Sequence, residues 1–277
     1  MLRFLYFIII IGINNQLGNA QKTDFNNKEI LKFESPYEIK LGKTIGLYAV
    51  GIAGRLGGEA IVRNLDPLTA DDIANLNPDN INFLDKGAIN NLNNSARVLS
   101  DVIRDVSYAF PFITFFDKQM GQNWTHIAII GTQALTLNSA VTILTKGLSK
   151  RTRPFVYNPK APVDERESTA ARLSFFSGHT STTAVMSFVT AKFFSDFYPN
   201  SPLRPYFWGG ATILTITAGY LRYAGGKHFI TDVVAGGVVG AAIGILLPQS
   251  YKKRQLTTDI SYNLISVGNG IGLCLTF

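Results

Sequence analysis

The sequence predicts an all-α fold, an antiparallel bundle of five to six core helices followed by a small C-terminal β-hairpin. Three observations lead there. From Ser95 to Pro248 the apolar residues fall in long blocks, "IAIIGTQALTL", "AVMSFVTAKFF", "FWGGATILTITAGYL" and "VVAGGVVGAAIGILL", too long for strands. Prolines punctuate the ends of those blocks (Pro154, Pro159, Pro162, Pro202, Pro205, Pro248) rather than their middles. Gly236, Gly237, Gly240, Ala241 and Ala242 recur along the last block, and small residues let helices approach closely.

The opening "MLRFLYFIIIIGINNQLGNAQK" reads as a signal peptide over residues 1–20, with Arg3 before an apolar run Leu5–Ile13 and a small-residue cleavage site at Gly18-Asn19-Ala20. An uncleaved anchor is the alternative, but the run is short for a span. Residues 21–94 form a polar lead-in with short helices. Within it 43–62 is helix-like, though Arg55 and Glu59 make it a poor membrane span, and Thr69 and Asn80 suit N-caps. The main domain is expected over 95–250, with helices at 95–119, 124–149, 179–198, 204–224 and 229–248. In the tail, 251–277, alternation of Ile260, Tyr262, Leu264 and of Ile271, Leu273, Leu275 around Gly268-Asn269-Gly270 predicts the hairpin.

Of the 277 residues, 46% are hydrophobic and 16% charged, apolar for a soluble protein and modest for one with many spans. Several blocks hold about 15 to 17 uninterrupted apolar residues, at the lower limit for crossing a bilayer. The best candidate is 124–149. Cys274 is the single cysteine, which excludes an internal disulfide and reads as a small packed residue. The net charge of +7 is bunched, with Lys146, Lys150, Arg151 and Arg153 close together. Such a field suits an anionic ligand. Neither a recognition-helix motif nor a zinc spacing supports nucleic acid or a metal.

Chemistry concentrates in three places. In "KGLSKRTRP", Lys146 and Arg153 are two helical turns apart and can project from one side of a helix end, the arginine offering a fork of donors for phosphate oxygens. A solvated basic helix terminus has the same composition. In "SFFSGHTSTTA", Ser177 suits an N-cap, Gly178 permits close backbone approach, and His179 opens a helix whose free N–H groups favour anions. A merely capped helix reads the same way. In "LRYAGGKHFITD", His228 and Asp232 stand i, i+4, so on a helix the carboxylate can bond one ring nitrogen and leave the other as a directed lone pair. Gly225-Gly226 lets Arg222 fold back toward that ring. The third histidine, His126, has no such company and reads as structural. These residues fall at the ends of consecutive helices, ends that converge if the helices pack antiparallel. Cationic clamps, a positioned nucleophile and a second histidine to protonate a leaving oxygen equip a site for phosphoryl transfer without metal.

The three stretches resemble the signature of the type 2 phosphatidic acid phosphatase (PAP2) and vanadium haloperoxidase superfamily, K-x6-RP, PSGH and SR-x5-H-x3-D. Lys146, Arg153 and Pro154 meet the first part, Ser177, Gly178 and His179 the second, and Arg222, His228 and Asp232 the third. Phe176 and Leu221 stand where the family usually has proline and serine. The resemblance implies a PAP2-type bundle. It also implies that His228 attacks phosphorus, oriented by Asp232, that His179 protonates the departing alkoxide, and that Lys146, Arg153, Arg222, Ser177 and Gly178 hold the phosphoryl oxygens. No cofactor is implied. The expected substrate is a phosphorylated lipid, such as phosphatidic acid, phosphatidylglycerophosphate, a polyprenyl diphosphate or the lipid A headgroup. A vanadate-dependent haloperoxidase and a non-catalytic phosphate-ester-binding envelope protein are the alternatives. If a cleaved signal leaves Gln21 outside, an even number of crossings before Lys146 sets the site outside. The expectation is an inner-membrane enzyme with an outward-facing site, and the alternative a soluble periplasmic bundle.

Overall fold

The computed structural model describes residues 33–253, 261–267 and 270–276. The expected signal peptide and the side chain of Cys274 lie outside the described residues. Helix α1 (Leu41–Arg63) is followed by the short α2 (Ala70–Ala74), and then by α3 (Asn94–Ser107), α4 (Phe110–Ile113) and α5 (Lys118–Gln122). The long α6 (Trp124–Ser149), the short α7 (Val163–Arg166) and the long α8 (Gly178–Phe197), α9 (Arg204–Ala224) and α10 (Ile230–Tyr251) complete the helices. Strands β1 (Ser261–Val267) and β2 (Gly270–Thr276) pair antiparallel, Ser261 opposite Thr276.

Consecutive long helices alternate in direction. Asn138 of α6 meets Thr182 of α8, and Lys146 lies beside Gly178. Trp208 of α9 donates to Ser195 of α8, while Gly219 faces Thr180. Two further pairings are parallel, unlike the expected all-antiparallel bundle. Gly51, Gly54 and Gly58 of α1 pack in register on Thr136, Ala140 and Ile143 of α6. Gly236, Gly240 and Gly244 of α10 pack on the backbone of Ser177, Ser181 and Val185 of α8. A Cβ on Gly240 would stand 2.3 Å from the Ser181 carbonyl oxygen, so the missing side chain sets the separation of the two helices. Between α6, α8 and α10 the interior is filled by Ile127, Ile130, Val185, Met186, Val189 and Phe193.

The chain enters and leaves the bundle at one end. There the Tyr37 hydroxyl donates to Asp196 at 2.9 Å, Lys192 and Lys252 reach the same carboxylate, and Thr44 meets Tyr251. The last turn of α6, the first turn of α8 and the last turn of α9 lie at the opposite end. His126, in the first turn of α6, is therefore at the entry end, away from the other two histidines.

Three expectations need correction. The stretch 95–119 is not one helix. It breaks after Ser107, because Pro111 lacks the N–H that a continuing helix needs, and Asp117 starts α5 afresh by accepting from Gln119 N and Met120 N. Thr69 caps α2 with a reciprocal bond to Asp72, but Asn80 caps nothing; Asn77 accepts from Asp79 N at 2.8 Å instead. Pro248 lies inside α10, three residues before its end. Helix α1 tolerates Arg55 and Glu59 by pairing them at 2.9 Å and tying Arg55 to Ser139. Among the described residues three segments, Leu41–Arg63, Trp124–Tyr157 and Ile230–Tyr251, are long and apolar enough to cross a membrane.

The glycine contacts generate a paired prediction. Alanine at Gly240 must push α10 off α8 and should destabilise by about 1–3 kcal/mol, the usual range for overpacking. Alanine at Gly57, where nothing lies within 4 Å, should be neutral or stabilise by about 0.5–1 kcal/mol through helix propensity. Thermal unfolding of the two variants beside the parent reads the difference; equal midpoints would show that the stripe does not fix helix spacing.

Candidate active site

Lys146 ends its side chain inside the protein, where Nζ donates to the Leu173 carbonyl at 2.5 Å. Helix α6 stops three residues later, and Lys150 adopts a left-handed conformation, φ 47°, that turns the chain back. Lys146 and Arg153 thus meet through this turn rather than along one helix face, since Arg153 lies beyond the helix. Arg153 Nε donates to the Ala170 carbonyl at 2.9 Å and its guanidinium reaches the Lys227 carbonyl at 3.3 Å.

Ser177 is the N-cap of α8, its hydroxyl accepting from Thr180 N, and its own N–H donates to the Asp232 carbonyl at 3.0 Å. Gly178 leaves room for Lys146 and Thr142; a Cβ there would stand 3.2 Å from Thr142. Phe176 and Leu221, the two departures from the signature, are both buried. His179 Nε2 lies 2.6 Å from Asp101 Oδ1 and 2.5 Å from an Arg104 guanidinium nitrogen. Arg222, buried near the end of α9, donates to the Ser100 hydroxyl at 3.1 Å and to Asp101 Oδ1 at 3.4 Å. The turn after it needs glycine: Gly226 has φ 68°, and a Cβ there would stand 2.0 Å from the Asn91 carbonyl oxygen.

His228 is 1% exposed. It precedes α10 instead of lying on it, so the expected i, i+4 helical face does not form. Its Nδ1 is 3.5 Å from Asp232 Oδ2 and makes no hydrogen bond. The physical reason is that Oδ2, the oxygen nearest the ring, already accepts two hydrogen bonds. Oδ2 accepts from the Ser174 hydroxyl at 2.5 Å and from Phe229 N at 2.9 Å, and Oδ1 from Arg151 at 2.6 Å. Burial, with Arg153, Lys146 and Arg222 around it, holds the His228 imidazole well below its ordinary value, against a smaller opposing effect of the Ser174 carbonyl. The ring is neutral with a lone pair, the state a nucleophile needs. The two imidazoles are close enough to act on each other electrostatically.

The structure therefore gathers Lys146, Arg153, Ser177, Gly178, His179, Arg222, His228 and Asp232 at one end of the bundle. It adds groups and pairings that no motif indicated. Arg151 bridges Asp232 to the fully buried Asp85 at 2.6 and 2.7 Å, and Asp85 also accepts from Thr231 N and its hydroxyl. Burial would raise the Asp85 carboxyl, but the bonds from Thr231, Arg151 and Asn82 outweigh it and hold the group below its ordinary value. Glu165 takes Lys227 at 2.8 Å and Arg97 at 3.1 Å. Arg97, Asp101 and Arg104 share one face of α3, a spacing visible in the sequence but hidden by reading 95–119 as a single uniform helix.

A neutral buried His228 makes stability depend on pH with a definite sign. The folded form binds the proton more weakly than the unfolded chain, whose imidazole titrates near about 6.5. The contribution is complete above that value and is lost as pH falls, by about 1.4 kcal/mol at pH 5.5. His228→Gln should gain on the parent by that amount between pH 7.5 and 5.5 in denaturant unfolding. A constant difference across the range would show an exposed, ordinary imidazole.

Residues 127–256 match the family model of the PAP2 superfamily, an interval that contains all three sequence motifs. No curated protein matches the chain. Among solved structures, one described as the crystal structure of the first transmembrane PAP2 type phosphatidylglycerolphosphate phosphatase from Bacillus subtilis is similar at 21% identity and a TM-score of 0.36, over 75% of this chain and 92% of that one. The match runs from Ile127 through every motif residue to Asp232 and beyond, so it is this segment of the chain that is similar to the PAP2 superfamily.

Proposed function

We propose that the chain is a metal-independent phosphatase that hydrolyses the phosphate ester of a membrane lipid through a phosphohistidine. One observation carries the reading. Lys146 and Arg153 are held at the site with backbone carbonyls as partners and, among the described residues, no carboxylate within ion-pair distance. Enclosed cations without a counter-charge are costly, and a phosphoryl dianion supplies that charge.

His228 attacks phosphorus as the bond to the leaving oxygen breaks. His179 gives that oxygen a proton, then takes one from the water that releases inorganic phosphate. Lys146, Arg153, Arg222 and the start of α8 stabilise the charge gathering on the phosphoryl oxygens. His179 is the more exposed of the two rings, so substrate arrives from its side. Helix α3 supports a lipid substrate. Its inner face carries Asp101 and Arg104, and its outer face exposes Val98, Val102 and Val106, each about half or more.

The bundle geometry also bears on orientation. The site lies at the end opposite Phe33–Lys40, so a bundle that spans a membrane puts the two on different sides. A cleaved exported signal and an outward-facing site are then incompatible. Lys40, Lys43, Lys252 and Lys253 gather at the entry end, which favours a cytoplasmic entry end and an outward site, with residues 1–20 not removed by export.

Two experiments test the reading. Purified protein should release phosphate from phosphatidic acid or phosphatidylglycerophosphate micelles in the presence of EDTA. His228→Ala should abolish turnover and His179→Ala should lower it by about 10²–10⁴-fold. Turnover that stops with chelator would contradict the mechanism. For orientation, on a Cys274→Ser background, Asp164→Cys should react with a membrane-impermeant maleimide in intact cells, and Lys40→Cys only after permeabilisation. The reverse pattern would place the site in the cytoplasm.

A further inference from the structure

The ring nitrogen Nε2 of His179 touches two groups of opposite character, both from α3 and both outside the matched family segment. Asp101 Oδ1 is 2.6 Å away and an Arg104 guanidinium nitrogen 2.5 Å away. One nitrogen cannot serve both at once. Nε2–H donates to Asp101, and the Arg104 cation beside it opposes a second proton on the ring. We propose that Asp101 and Arg104 are positioning residues that set, in opposite senses, whether His179 holds a proton, Asp101 favouring the acid form and Arg104 the base form.

This inference rests on the phosphatase reading, which requires His179 in both forms. In the first half the P–O bond breaks, its electron pair stays on the leaving oxygen, and the proton passes from His179 to that oxygen. In the second, the neutral ring takes a proton from water, the water oxygen bonds to phosphorus, the P–N bond breaks and its pair returns to His228. Nε2–H stays on Asp101 in both forms, so Nδ1 carries the proton in the acid form and the lone pair in the base form. The other charged groups near His179 are cations or a second imidazole: Arg222, Arg153 and His228. Asp101 is the carboxylate in contact with it. Arg104 is itself tethered, its Nε donating to Asp105 at 2.8 Å, so its approach to the ring is fixed by the helix.

The test compares the full-length parent, Asp101→Asn, Asp101→Glu and Arg104→Gln on two phosphate monoesters, one with a nitrophenol leaving group that departs without a proton and one with an alkyl alcohol that needs one. Asp101→Asn should lower kcat/KM about 10–100-fold for the alkyl ester and under about threefold for the nitrophenyl ester, within the range of general-acid effects. The basic limb of the alkyl-ester pH profile should move down in Asp101→Asn and up in Arg104→Gln, by about one unit or more each. Asp101→Glu should recover part of the loss. Equal losses on both esters would reduce Asp101 to a scaffold role and overturn the proposal. So would an Asp101→Asn variant that binds inorganic phosphate more tightly at unchanged kcat, because Asp101 would then merely occupy the anion site. A parent inactive on both esters would sink the phosphatase reading alone. In that case NMR titration of the His179 ring still decides, since its midpoint must shift in opposite directions in the two variants whatever the turnover.

Discussion

An uncompensated positive charge, enclosed at one end of a helical bundle, is the constraint on which the rest of this structure depends. Ordinary folding would pair each buried cation with a carboxylate or expose it. Here the carboxylates that could have done so are engaged elsewhere. Glu165 holds Lys227 and Arg97, and Asp85 and Asp232 share Arg151. Lys146 and Arg153 are left with carbonyl oxygens, which satisfy their N–H groups without cancelling their charge. Such an arrangement destabilises the empty protein and is relieved by an anion of the right size. The same charge adds to burial in keeping His228 unprotonated, so on the proposed reading the clamp and the nucleophile share one enclosure.

Holding that charge in place requires rigid walls, and the helix packing supplies them. The glycines of α10 let its backbone lie against α8, and the Ser177 N–H then bonds the Asp232 carbonyl. The motif that begins α8 and the motif that begins α10 are thereby fixed to each other through backbone, which no side-chain motion can undo. Lys146 is set against Gly178 by the antiparallel run of α6, and Arg222 enters from α9 through a turn that only glycine permits. Four helices meet at the site: α6 brings Lys146, α8 His179, α9 Arg222 and α10 Asp232.

The long helices were legible in the sequence because their apolar blocks and breaks are unambiguous. Helices α6 and α9 run over the residues read from those blocks. Residues 95–119 were not, because apolar residues (Phe110, Phe112, Ile113) continue past Ser107 although Pro111 cannot sustain the ladder. That misreading concealed Asp101 and Arg104, whose functional face shows only once α3 is seen as a separate amphipathic helix. Arg151 was visible as part of a basic run. Nothing in the run distinguishes the arginine that locks two carboxylates from the lysine and arginine left free of them, because the distinction is made by Asp85, more than sixty residues away in sequence. Motif spacing identified which residues gather. Which carboxylate each cation keeps is a long-range matter that spacing does not encode.

The two histidines are consequently held by different physics. His228 is oriented by enclosure, since Asp232 stands 3.5 Å off with its oxygens already taken by Ser174, Phe229 and Arg151. Asp232 acts first as a frame that caps α10 and anchors Arg151, and only through that frame on the ring. On the proposed phosphatase reading, a nucleophile that must not be protonated before it attacks is well served by a dry, cationic enclosure. A group that must release a proton and then accept one cannot be treated that way, because a fixed environment would favour one form permanently. His179 is instead partly exposed and meets a carboxylate and a guanidinium, so the burial and cations that favour the neutral ring are opposed at Nε2 by Asp101. The difference in burial between the two rings matches the different proton traffic each would carry in the proposed reaction.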